Sequence, residues 1–183
     1  MEARSGVRYL ADYLWESPDD TNRYEVVDGE LIVSPSPSWM HQYGLNGLNY
    51  VLLAWIRPRR LGKIVPAPLG VVLAADTGVE PDIVYVSRER ENIISARGIE
   101  GAPDLVVEVL SPSTESVDRG RKMERYARAG VPHYWLLDPR SQVLEPYRLA
   151  PGGYELLGRF GPGSVFRPEL FPGLEIAIDE LWV

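Results

Sequence analysis

The sequence contains no cysteine, which excludes disulfide staples and thiolate metal sites. It also lacks an apolar leader and any apolar run of about 18 residues or more, so the expectation is a soluble, cytoplasmic chain with no membrane partner. Positive charge is scarce: 19 Lys and Arg stand against 26 Asp and Glu, for a net charge of −7 at pH 7. Wrapping nucleic acid over the whole surface requires broad phosphate neutralisation, so any such site has to be local. Lysine is the scarcest charge of all, since Lys63 and Lys122 stand alone among arginines. A lysine in such a chain points to a need for a compact ammonium that arginine does not meet.

With 183 residues the chain can bury a substantial core as one domain. We divide 1–183 into an N-terminal helix, hairpin and long helix (1–60), a central core (61–140) and a C-terminal β extension (141–183). Val7, Leu10, Tyr13 and Leu14 have helical spacing and predict a short amphipathic lead-in over 7–16. Asp28-Gly29 between two apolar runs predicts a β-hairpin over 23–34. Ser38 is placed to cap a helix over 39–55 with Met40, Gly44, Leu48, Val51, Leu52 and Trp55 on one stripe, and Gly44 and Gly47 allow another backbone to come close. Residues 64–74 read as an interrupted strand bent at Pro66 and Pro68, and 79–86 as another strand. Ser113 or Ser116 caps a second helix that ends at Gly130. A strand follows over 131–138, then a second hairpin over 142–157 and a last short strand over 174–178. This order gives an α/β (α+β) chain with helices against a mixed sheet.

The most informative stretch is 103–122. Leu105 to Leu110 is short and β-branched and is closed by Ser111-Pro112, which marks a buried strand with Glu108 in its middle. A carboxylate there needs a compensating partner. Asp104 shares its face but lies about 13 Å away at roughly 3.3 Å per residue, too far to share one cation. Antiparallel pairing of 82–86 with 105–110 would bring Asp82 beside Glu108 instead. Two carboxylates at one site call for a hard cation, Mg²⁺ or Mn²⁺, the arrangement of metal-assisted phosphodiester hydrolysis.

Pro81-Asp82 and Glu108-Val109-Leu110 resemble the Pro-Asp and Asp/Glu-X-Lys elements of the PD-(D/E)XK nuclease superfamily. The segments 24–30, 36–41, 103–114 and 130–139 together are similar to a large bacterial family of uncharacterised restriction endonucleases, over nearly all of the chain except its last twenty or so residues. The resemblance implies a restriction-endonuclease-like mixed central sheet flanked by helices, here with added N-terminal and C-terminal β-hairpins. It also implies a metal-dependent nuclease acting on nucleic acid, with DNA the expected substrate. The superfamily's lysine belongs at position 110, where this chain has Leu110, and Lys122 on the next helix is the expected substitute. Tyr126, one helical turn on, pairs with it as Gln and Tyr do in some relatives. Glu25 is the expected additional acid.

Other readings of the same residues compete with these. Glu25 also suits an outward-facing strand carboxylate, His41 a capping or packing histidine, and Asp104 a turn cap. Trp135 and Tyr134 read as core and His133 as surface. Arg57, Arg59, Arg60 and Lys63, with Arg119, Arg121 and Arg125, suit either phosphate contacts or solvated faces. The expected site is therefore Asp82 and Glu108 on the metal, with Lys122 and Glu25 catalytic and His41, Arg119 and Tyr126 toward substrate. The alternative function is a non-catalytic binding or assembly module of the same fold, with a homo-oligomer as a possible partner state.

Overall fold

A computed structural model describes residues 7–183. The lead-in forms a 3₁₀ turn, Ala11–Trp15, instead of the expected α-helix. Its Leu14 sits so close over Gly78 that a Cβ there would lie 2.8 Å from it, leaving little room for a wider helix. Strands β1 (Arg23–Val27) and β2 (Glu30–Ser34) form the expected hairpin. Asp28 and Gly29 take φ of 57° and 74°, the left-handed pair that a type I′ turn requires.

Helix α1 (Trp39–Arg59) is capped by Ser38, whose hydroxyl accepts from the His41 N–H. It runs past the predicted end at Trp55 because Pro58 falls in the exposed last turn, where the carbonyl that loses its donor can turn to water. Its buried stripe is His41, Gly44, Leu45, Leu48, Leu52 and Ile56, whereas Met40 is exposed.

The interrupted strand read from 64–74 and the strand read from 79–86 are each divided. The first becomes β3 (Gly62–Pro66) and β4 (Val71–Ala74), the second β5 (Thr77–Val79) and β6 (Ile83–Ser87). The breaks fall at Pro66-Ala67-Pro68 and at Glu80-Pro81, where prolines remove ladder donors and the chain passes between sheets. After β7 (Ile99–Glu100) and β8 (Leu105–Val109) comes a composite helix. It comprises α2 (Glu115–Val117), a π-helical turn (Asp118–Lys122) and α3 (Met123–Ala129), ending at Gly130 with φ 83°. Thr114, not Ser113 or Ser116, occupies the cap position, and its side chain makes no cap hydrogen bond. Then follow β9 (His133–Asp138), the hairpin of β10 (Val143–Ala150) and β11 (Gly153–Leu156), and the short pair β12 (Val165–Phe166) and β13 (Ile176–Ala177).

The main sheet has six strands in the order β11-β10-β9-β8-β6-β3, parallel between β8 and β9 and antiparallel elsewhere. A second, five-stranded sheet has the order β2-β1-β5-β4-β7. Side-chain alternation gives the main sheet two buried faces. Val107, Val109, Trp135 and Leu137 pack against α1 and the C-terminal segment, including Phe171 and Leu181. Val84, Val106, Leu110, Tyr134 and Leu136 face the second sheet and Tyr126 of α3. Glu108 and Asp82 alternate onto this second face, so their carboxylates lie between the sheets. The fold is a mixed α+β architecture, as expected, and no helix of the described residues is long and apolar enough to cross a membrane.

The close approach over α1 is made by the C-terminal 3₁₀ turn, Ile178–Trp182. A Cβ on Gly47 would lie 2.2 Å from the Leu181 carbonyl oxygen, a backbone atom that can yield only if the turn lifts off. Gly47→Ala is expected to cost about 1–3 kcal/mol through overpacking; urea unfolding measures this, and an unchanged midpoint would refute the packing assignment.

Candidate active site

Sheet register builds the floor of the site. Ile83 pairs with Val107 and Val84 with Val106 in antiparallel register. One step further along the same ladder sets Asp82 across from Glu108. Asp82 sits just outside β6, where its Oδ2 accepts the Val109 N–H at 2.7 Å. Its Oδ1 accepts from Arg23 Nη2 at 2.7 Å, and His41 Nε2 lies 3.3 Å from Oδ2. Asp82 and Glu108 are each 1% exposed.

Lys122 reaches the same space from the helix. Its Nζ is 2.7 Å from Glu108 Oε1, 2.9 Å from Glu25 Oε1 and 3.3 Å from Asp118 Oδ1. Tyr126 donates its hydroxyl to Glu108 Oε1 at 2.7 Å, and the Glu80 N–H donates to Glu25 Oε1 at 2.9 Å. The π turn is what aligns the helix contribution. Residues eight apart on an α-helix drift by about 80° at 3.6 residues per turn, and a wider turn cancels most of that drift. Asp118, Lys122 and Tyr126 are therefore buried together, and the Asp118 carbonyl accepts from Tyr134 at 2.9 Å.

The cluster is too negative to satisfy itself: Glu25, Asp82, Glu108 and Asp118 surround only Arg23 and Lys122. Burial pushes the Glu108 carboxyl up, Lys122 pulls it down, and the neighbouring Asp118, Asp82 and Glu25 charges push it up again, to about 8. Asp82 goes the other way. Burial raises it, but the His41 hydrogen bond, the Arg23 charge and the Val109 N–H hold it at about 2. Burial opposes the Lys122 charge, yet Glu108, Glu25 and Asp118 keep its pKa well above the usual lysine range. Burial raises Tyr126 first and Glu108 raises it further, so the phenol stays a neutral donor.

Among the described residues, no three or more His, Cys, Asp or Glu side chains form a ready metal cage. The donor chemistry nevertheless fits Mg²⁺ or Mn²⁺. Such ions are often held by one or two carboxylates, the remaining positions going to water and substrate phosphate, and the cluster's excess negative charge is what a divalent cation would neutralise.

These groups form the base of a cleft walled by Ser34 to Ser38 on one side and Ser111 to Thr114 on the other. Of the residues expected toward substrate, His41 lines this cleft, whereas two do not meet that expectation. Tyr126 is fully buried and can act only through Glu108. Arg119 binds Glu115 and the buried Glu145, and so neutralises a core carboxylate outside the cleft lining. Arg121 and Arg125 clamp the β1–β2 hairpin at Glu30, Val27 and Asp28. The basic run from Arg57 to Lys63 lies at the far end of α1, roughly 30 Å from Ser38 at about 1.5 Å per residue. Asp104 is the turn cap, accepting from the Ser87 N–H at 2.7 Å and pairing with Arg90 at 3.1 Å. Two members of the cluster were not singled out from the sequence. Arg23 stands two residues before Glu25 on one strand face, and Asp118 four before Lys122; that spacing is the only signal either carries. Lys122→Met leaves Glu25, Glu108 and Asp118 around a neutral side chain and is expected to cost about 3–5 kcal/mol, read by chemical unfolding against an unaffected Lys63→Met control. Equal stability of the two variants would show that Lys122 is not the counter-charge.

The solved structures include a crystal structure from Anabaena variabilis described as "a putative nuclease belonging to DUF820". It is 22% identical, with a TM-score of 0.78, and the match covers 95% of this chain and 97% of that one. This similarity carries the fold. No curated protein matches the chain. The sequence model of the Uma2 family, described as "Putative restriction endonuclease", matches residues 10–179, and the chain belongs to that family.

Proposed function

We propose that the protein is a divalent-cation-dependent endonuclease of the PD-(D/E)XK type, hydrolysing phosphodiester bonds in nucleic acid, with DNA the expected substrate. The observation that carries this reading is the meeting of Asp82, Glu108 and Lys122 at the base of one cleft, from a loop, a strand and a helix. Asp82 and Glu108 would hold the Mg²⁺ or Mn²⁺ ion, which supplies charge neutralisation at the phosphate and a more acidic water. Leu110 packs in the core between the sheets, so the lysine that the superfamily motif carries at this position has no place there. Lys122 fills that role from the π turn: its ammonium stands 2.7 Å from Glu108, where it can stabilise an attacking hydroxide or the charge building on phosphate. Tyr126 and Asp118 hold Glu108 and Lys122 in position, and Glu25 keeps the ammonium charged and aimed.

One observation favours a second reading, a non-catalytic binding or assembly module: both Asp82 oxygens already have protein partners. Incubation of supercoiled plasmid and of circular single-stranded DNA with Mg²⁺ or Mn²⁺ separates the two. The wild type is expected to cut in the presence of metal and to stop in EDTA. Lys122→Met is expected to lose about 10²–10³-fold in rate, as for removal of one group that stabilises transition-state charge, and Glu108→Gln to lose detectable activity. Undiminished cutting by Glu108→Gln sinks the assignment. An intact fold that binds neither ion in titration calorimetry favours the module.

A further inference from the structure

The outer face of helix α1 is left open by the described residues. Leu45, Leu48, Leu52 and Ile56 pack against the main sheet. On the opposite side, Trp39, Tyr43, Asn46, Tyr50, Leu53 and Arg57 follow one another at steps of 4, 3, 4, 3 and 4 residues, the spacing of a coiled-coil seam. None of the six is buried, and Trp39 and Tyr50 are 75% and 73% exposed. From Trp39 to Ile56 the helix has no Asp, Glu, Lys or Arg, although 25% of the chain is charged. A helix face directed to water normally carries charge. Depletion of charge together with Trp, Tyr and a flanking Arg is instead the composition of an interface core.

The seam is complementary to itself. Two copies paired antiparallel about Leu48 set Trp39 against Arg57, Tyr43 against Leu53 and Asn46 against Tyr50, each pair occurring twice. Trp39 then offers an indole face to a guanidinium, and Asn46 meets a phenol hydroxyl, a polar contact of the kind that fixes register in a seam. Parallel pairing would stack Arg57 on Arg57. The flanks agree with the antiparallel sense. Arg59 and Arg60 follow the seam at one end, whereas at the other Ser36 donates to the Thr21 carbonyl at 2.7 Å and anchors the turn that carries exposed Asp19 and Asp20. Antiparallel pairing brings the basic end of each copy to the acidic end of the other, in a chain whose net charge of −7 otherwise opposes self-association. Trp39 and Tyr43 already stack, with centroids 5.5 Å apart, which lowers the ordering cost of binding. At about 150–250 Å² per aromatic side chain, the exposed parts of Trp39 and Tyr50 in two copies bring roughly 450–750 Å², at least about a third of the ~1,200 Å² that a specific interface buries.

We propose that the outer face of α1 is the interface of a homodimer in which two copies pair antiparallel along this seam. His41 lies about 160° around the helix from Trp39, at about 100° per residue, so the two clefts lie away from the interface and stay accessible. The inference stands independently of the nuclease reading. Sedimentation velocity from about 2 to about 200 µM is expected to show a monomer passing to a dimer, with a micromolar dissociation constant. Trp39→Ala is expected to weaken the dimer at least about tenfold. Tyr50→Arg, which sets a cation on each side of the two-fold axis, is expected to leave a monomer, and Tyr50→Phe a dimer.

Because the chain has no cysteine, single introduced cysteines report the pairing. A mixture of the Tyr43→Cys and Leu53→Cys variants is expected to form a disulfide-linked dimer at least about tenfold faster than either variant alone. Like positions in the antiparallel pair stand about 15 Å apart along the helices at about 1.5 Å per residue, beyond the roughly 7 Å Cα separation that a disulfide spans. A wild type that stays monomeric at about 200 µM overturns the proposal and leaves the face to a different partner. So does a Tyr50→Arg variant that keeps the wild-type dimer, or single-cysteine variants that cross-link as fast as their mixture. If far-UV circular dichroism shows that Tyr50→Arg does not fold, the cross-linking rates decide.

Discussion

The structure depends on one buried ammonium. Lys122 stands between two sheets with three carboxylates within 3.3 Å of its nitrogen, contributed by β1, β8 and the π turn. Without it, three chain segments far apart in sequence would bring like charges together in a space that excludes water, at a cost of several kcal/mol per uncompensated charge. With it, the first hairpin, the central strand and the composite helix are held to one point, and the local negative charge still exceeds the positive. That remaining imbalance is the physical basis for reading the cluster as a cation site.

The layering follows from the same constraint. The main sheet has two buried faces, but they differ in character. The α1 face is apolar throughout, with Trp135, Leu137 and Val107 against Leu48 and Leu52. The opposite face sets single carboxylates into an apolar surface: Val106 on β8 and Leu110 just past its end flank Glu108, and Asp82 stands just before β6, two residues from Val84. The second sheet closes over this face and brings Arg23 and Glu25 across the gap. The arginines near the composite helix are part of the closure, since Arg121 and Arg125 tie that helix to the hairpin turn of the second sheet.

Local features of the fold were legible because they rest on local chemistry. The Asp28-Gly29 hairpin needs only two residues that accept positive φ, Ser38 needs only a free N–H to cap, and Gly130 needs only a left-handed end. The errors fell where neighbours in sequence part company in space. Residues 79–86 read as one strand because an apolar run carries no mark of a change of sheet, although Pro81 stood at the break, whereas the interruption read at Pro66 and Pro68 in 64–74 is where that segment changes sheet. The lead-in read as α-helix from its spacing alone, and contact with Gly78 made it a tighter turn.

For the site, the sequence by itself determined which groups were chemically out of place: an acid inside an apolar strand, an Asp after Pro at a strand entry, and one of two lysines in an arginine-rich chain. Their identities follow from composition and periodicity, because a charge in a buried segment requires compensation wherever its partner lies. Strand pairing already set Asp82 beside Glu108 and the family resemblance pointed to Lys122, whereas the tertiary structure alone brought in Arg23 and Asp118. The separation from Glu25 to Lys122 depends on how the second sheet and the composite helix meet, that from Asp82 to His41 on how α1 docks against the main sheet, and the inclusion of Asp118 on a π turn that side-chain periodicity does not record. Arg119 shows the converse: equally charged and near Lys122 in sequence, it is directed to Glu145, because helical phase and not composition sets which side of the helix a residue faces.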